Sequence, residues 1–107
     1  MKAKLIIILS ILIQFIFSQT MTKGYVVLDH YECKSSDHIV IETNKGYTIA
    51  EVYSGYSATH SGKVIYGDLH SYNFELIYNS DGDEIGKLWI EDYMVSKSRA
   101  LKWCYEE

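Results

Sequence analysis

The chain has 107 residues, two cysteines, no proline and a formal net charge of −4, and 48% of its residues are hydrophobic. Residues 1–18 hold 13 of those hydrophobic residues and two of the ten Lys and Arg, so the remainder carries 8 basic against 14 acidic side chains, a net charge of −6. That remainder has room for one small domain. An acidic chain without clustered Lys and Arg excludes nucleic acid as its partner, because neutralising phosphates requires such a cluster.

Met1-Lys2-Ala3-Lys4 is a short basic start, and Leu5 to Phe17 is apolar apart from Ser10 and Gln14. Thirteen residues make a helix of roughly 20 Å, whereas a bilayer core needs about 20 residues. The segment therefore reads as a signal peptide over 1–18 and not as a membrane span. Cleavage after Ser18 leaves Gln19 first, although Ile16 departs from the small-x-small rule. The mature chain, 19–107, is then a single small β-rich domain, exported to the periplasm or the extracellular space and free of the membrane once cleaved.

Export gives meaning to Cys33 and Cys104. Two cysteines in an oxidising compartment predict one disulfide, and their spacing is not that of a CxxC redox pair. Closing a loop of about 70 residues removes denatured-state entropy worth roughly 4 kcal/mol, a large share of a small domain's stability.

Short apolar runs between turn signals predict strands. The first lies between Gly24 and Tyr31, around Val26-Val27-Leu28. His38–Thr43 and Tyr47–Tyr53 follow, joined through Asn44-Lys45-Gly46, where glycine supplies the positive φ of a tight loop. Ser54 to Gly62 is small, polar and aperiodic, hence an exposed loop. Lys63–Leu69 is the next strand, with Gly67 a bulge or close-packing point. After a turn around His70 to Asn73, Phe74–Tyr78 and Ile85–Tyr93 flank the Asp81-Gly82 turn, of type I′ or bulged form. In the last strand Leu88 and Ile90 share one face, Trp89 and Glu91 the other. Ser96 to Tyr105 offers a serine N-cap and good helix formers, with Ala100, Leu101 and Cys104 on one face. The expected fold is mainly β: a small, strongly bent sheet or SH3-like barrel of five to six strands, with one C-terminal helix packed on an open side. That likeness is one of shape and carries no function.

All ten tyrosines lie after the apolar start. Tyrosine presents a flat apolar ring with a polar tip, suited to sugar faces and protein partners. Tyr53, Tyr56, Tyr66 and Tyr72, around the glycine-serine loop, and Trp89 are the candidate binding residues; the competing reading is that tyrosine is simply a good strand former. The histidines, His30, His38, His60 and His70, read as surface residues. His30 and Cys33 resemble half a zinc site, but a disulfide-bonded cysteine cannot ligate, so no metal and no cofactor are expected.

The acidic turn Asn79 to Glu84 fails the calcium-loop pattern, which needs glycine sixth and glutamate twelfth; those places hold Glu84 and Ile90. Gly55-Tyr56-Ser57-Ala58-Thr59 lacks the second glycine of a nucleophile elbow. The adjacent pairs Asp83-Glu84 and Glu91-Asp92 point to opposite faces of a strand and form no acid–base couple. Asp68 and Asp92 are expected to be partly buried. These readings favour an exported, non-enzymatic module that binds a protein or glycan surface. The alternative is an inhibitor or immunity-type protein acting through its acidic surface. A small hydrolase would need His60, His70 or Asp68 to converge in a deep pocket.

Overall fold

The structure, a computed structural model, describes residues 21–107, and the expected signal peptide over 1–18 lies outside them. Six strands, β1 (Thr22–Leu28), β2 (His38–Thr43), β3 (Gly46–Ser54), β4 (Val64–Gly67), β5 (Asn73–Tyr78) and β6 (Glu84–Val95), precede one helix, α1 (Lys97–Glu106). All strand pairs are antiparallel. The order β1-β2-β3-β6-β5-β4 closes on itself, since β4 also pairs with β1. Two three-stranded meanders are thus sewn together along β3–β6 and β4–β1. Of the two expected forms, the bent sheet and the barrel, the closed barrel is the one formed, and closure gives every strand two neighbours, although β4 and β5 pair only through Tyr66 with Tyr78 and Gly67 with Ile77.

The two-residue period of each strand sends alternate side chains to opposite sides of the wall. Val26, Ile39, Ile41, Ala50, Val52, Ile65, Leu69, Ile77, Leu88 and Ile90 fill the interior. Thr48 is buried among them and donates its hydroxyl to the Leu69 carbonyl at 2.9 Å, so no buried acceptor is left unpaired there. Val40 and Ile49, on the other face, join Leu28, Val95, Ala100, Cys33 and Cys104 in a second core outside the barrel. The helix therefore lies against the outside of a closed wall, over β2 and β3, and not in a gap of the sheet.

Ser96 caps the helix as expected, its hydroxyl accepting from Arg99 N at 3.3 Å. Ala100 and Cys104 are its buried residues. Cys104 forms the disulfide with Cys33, their Cα atoms 4.5 Å apart and 71 residues apart in sequence. The backbone reinforces this junction: Lys34 N donates to Cys104 O at 2.7 Å.

The turns follow their chemistry. Gly46 takes φ +114 directly after Asn44-Lys45. At the Asp81-Gly82 turn only Gly82 has a positive φ, which selects the bulged hairpin over type I′, a form that needs two such residues. Two expectations change. The run from Lys63 to Leu69 stops pairing at Gly67, where a Cβ would meet the Leu76 carbonyl at 2.9 Å. The segment Ser54 to Gly62 is not wholly exposed loop: it holds a 3-10 turn over Tyr56–Ala58 and a fully buried Thr59, whose hydroxyl donates to Tyr56 O at 3.2 Å.

Replacing both Cys33 and Cys104 by alanine lowers the unfolding free energy by about 4 kcal/mol, as measured by urea denaturation of the oxidised chain and the double variant. Equal midpoints would contradict a stabilising role for the bridge.

Candidate functional site

Strand register alone assembles a row of functional side chains on the outer wall. His38 of β2 pairs with Glu51 of β3, Glu51 with Trp89 of β6, and Trp89 with Phe74 of β5. The four lie side by side across four adjacent strands. Phe74 is the hinge of an aromatic group, meeting Tyr53 at a centroid distance of 4.7 Å and Trp89 at 4.7 Å, both edge to face. This is the arrangement that ring quadrupoles favour. Lys87 Nζ stands 4.7 Å above the Phe74 ring, a cation–π contact. Tyr53, Phe74 and Leu76 are 51%, 42% and 39% exposed, so β3, β5 and β6 present a group of large apolar side chains to solvent.

Of the five residues expected at the binding surface, Tyr53 and Trp89 come together, through Phe74. The other three lie elsewhere. Tyr56 sits in the 3-10 turn, its hydroxyl donating to Val52 O at 3.1 Å and its ring edge-on to His30. Tyr72 packs on Tyr93 at 4.7 Å and donates to Asp92 Oδ1 at 3.3 Å. Tyr66 pairs with Tyr78 across β4 and β5, beside a cavity that Lys23 and Gly82 also line. The sequence does not mark Phe74, because Phe74-Glu75-Leu76-Ile77-Tyr78 carries apolar residues on both faces of a strand. Only the burial of Ile77 in the barrel turns Phe74 and Leu76 outward.

A polar trio adjoins the aromatic group. His38 Nδ1 lies 2.7 Å from the Ser36 carbonyl oxygen, and Nε2 lies 2.8 Å from Glu91 Oε1. The imidazole packs 5.0 Å from the Trp103 ring of α1, and its side chain is only 14% exposed. His38, Glu51 and Glu91 each place one potential ligand atom within 4.8 Å of the others. All four histidines are half-buried at the surface, the His60 side chain still 42% exposed. Glu91 and Asp92 also depart from the opposite-faces rule. The β3–β6 register shifts between Asp92 and Ile90, and this irregularity lets both carboxylates reach the helix side, Glu91 to His38 and Asp92 to Arg99 Nη2 at 2.9 Å.

The other candidate groups are held apart. Asp68 is exposed, against expectation, and Asp92 part-buried; the buried carboxylate is Asp29, which no pattern in the sequence marks. Burial pushes the Asp29 carboxyl up, but hydrogen bonds from Ser61 N and Tyr31 N outweigh it and hold the group below its ordinary value. His60 Nδ1 is 3.9 Å from Asp29 Oδ2, while His70 Nε2 is 2.8 Å from Thr43 Oγ1. Burial, and then the nearby Lys45 charge, lower the His70 pKa against an opposing effect of Asp68. His70 lines an open cavity of about 460 Å³ with Glu42, Thr43 and Lys45, whereas Asp68 lines a different one with Phe74 and Leu76. Asp68 thus acts on His70 only through its charge, the two lining different cavities, and His60 stands apart from both beside Asp29, so among the described residues the three do not converge in one pocket.

Two outcomes follow. Phe74→Ala removes both edge-to-face contacts, lowering stability by about 1–3 kcal/mol and shifting tryptophan emission, read by urea denaturation and fluorescence. For pH, a native pKa below the unfolded one means the unfolded chain binds more protons between the two values, so stability falls with acidification. The His70 contribution is complete above about pH 6.5 and is lost as pH falls from there through its lowered native value. The Asp29 contribution persists until pH falls below about 4. Denaturation midpoints from pH 8 to 3 decline in two steps, and His70→Asn flattens the first.

The chain matches no protein-family model, no curated protein and no solved structure.

Proposed function

We propose that the chain is an exported, non-enzymatic binding module whose contact surface for a protein partner is the outer-wall group Tyr53, Phe74, Leu76 and Trp89. The observation that carries this reading is the exposed aromatic cluster with charged side chains, Lys87, Glu51 and Glu91, around it. Protein interfaces concentrate their energy in aromatic anchors at the centre and leave a polar rim. Glycan recognition asks for an open ring face on which a sugar can stack, and Lys87 stands over that of Phe74. This favours a protein as the occupant.

Export draws support from the basic start and 13-residue apolar run of the N-terminus, and from a disulfide that suits an oxidising compartment. No helix of the described residues is long and apolar enough to cross a membrane. The net charge of −6 beyond residue 18 favours a basic partner, and an enzyme inhibitor acting through this acidic surface is the form the reading takes if that partner is an enzyme.

The test is affinity capture from the extracellular fraction with the wild type, Tyr53→Ala, Trp89→Ala and Tyr66→Ala, followed by affinity measurement on the recovered partner. Tyr53→Ala and Trp89→Ala weaken binding about 10- to 100-fold, while Tyr66→Ala, away from the cluster, does not. Equal binding by all four proteins overturns the assignment, and recovery of an oligosaccharide with the same dependence replaces the protein partner by a glycan.

A further inference from the structure

We propose that His38, Glu51 and Glu91 form a binding site for one divalent transition-metal ion of the zinc class. The three side chains project from three adjacent strands of a closed wall, and their ligand atoms already lie within 4.8 Å of one another. Residues 38, 51 and 91 are far apart in sequence, so no spacing motif announces the set.

The imidazole is where the chemistry becomes specific. The Ser36 carbonyl oxygen can only accept, so at 2.7 Å it fixes the proton on His38 Nδ1. The Nε2 of a neutral ring then points its lone pair at Glu91 Oε1, another acceptor, 2.8 Å away. Two lone pairs at that distance repel unless a positive charge stands between them. A proton satisfies this one contact but leaves Glu51 facing Glu91 with a net negative charge. A divalent ion takes the Nε2 lone pair and neutralises both carboxylates. The backbone carbonyl on Nδ1 is also the outer contact that orients metal-binding histidines and fixes their tautomer.

The donor set selects the ion. One imidazole nitrogen and two carboxylate oxygens suit zinc and its neighbours, whereas calcium and magnesium take oxygen ligands. Tetrahedral coordination at about 2.0–2.1 Å places ligand atoms about 3.3 Å apart. Reaching it needs His38 and Glu91 to part slightly and Glu51 to draw in, movements within the range of side-chain rotation. Trp103 packs beside the imidazole, and the Glu91 side chain is 33% exposed, so water can reach the trio from the Glu91 side. Glu51 also pairs with Trp89, which sets the ion at the rim of the aromatic group. The metal site does not depend on the partner-binding reading.

Zinc titration of the full oxidised chain by calorimetry, with cobalt as a spectroscopic probe, tests the assignment. Saturable 1:1 zinc binding is expected, with intense visible absorption from tetrahedral cobalt. His38→Ala, Glu91→Gln and the shape-preserving Glu51→Gln each weaken zinc binding at least tenfold, whereas His60→Ala leaves it unchanged. Circular dichroism confirms that each variant is folded, and Glu51→Gln and Glu91→Gln keep side-chain size. Absence of saturable binding, unchanged affinity in His38→Ala, or an equal loss in His60→Ala overturns the site.

Discussion

Closure of six short strands around ten buried apolar side chains is the constraint on which the rest of this structure depends. A ring of antiparallel pairs gives each strand two neighbours, and its small interior holds these ten side chains. Every further apolar side chain must find cover outside. Val40 and Ile49 face outward and would be wetted without the helix, and the disulfide holds that helix in place. The second core and its covalent staple are therefore consequences of a barrel too small to bury everything the chain carries.

The same constraint leaves the neighbouring part of the outer wall uncovered. Where α1 does not reach, outward positions of β3, β5 and β6 carry Tyr53, Phe74, Leu76 and Trp89. These side chains contribute nothing to the barrel interior, and strand register, set by inward residues such as Ile77 and Leu88, lines them up. Strand pairing beneath holds these groups in fixed relative positions.

The irregularity of β6 links the two regions. The shifted pairing near Asp92 breaks the alternation, and the chain reaches a left-handed residue at Met94, φ +58, before Val95 enters the second core. One consequence is structural: Val95 is turned into the second core. The other is chemical, because Glu91 and Asp92 both reach the helix side, where Glu91 joins His38 and Asp92 pairs with Arg99. A regular strand would have sent one of them into the barrel.

The sequence by itself determined the local elements and the covalent link. Apolar alternation, glycine turns, the Ser96 cap and a lone pair of cysteines specify strands, hairpins, helix and disulfide, because each depends on neighbours in the chain or on a unique pair. Strand ends were less legible: β4 stops at Gly67 because a backbone from β5 approaches there, a fact of packing. The site was only half legible. Tyr53 and Trp89 are legible as candidate contact aromatics, but Phe74 lies in a run apolar on both faces, and only burial of Ile77 decides which way it points. The trio His38, Glu51 and Glu91 was invisible, since its members are adjacent through strand pairing and a bulge, and neither leaves a spacing in the sequence. Tertiary structure alone decides such sites, because cross-strand neighbours are chosen by closure of the whole barrel.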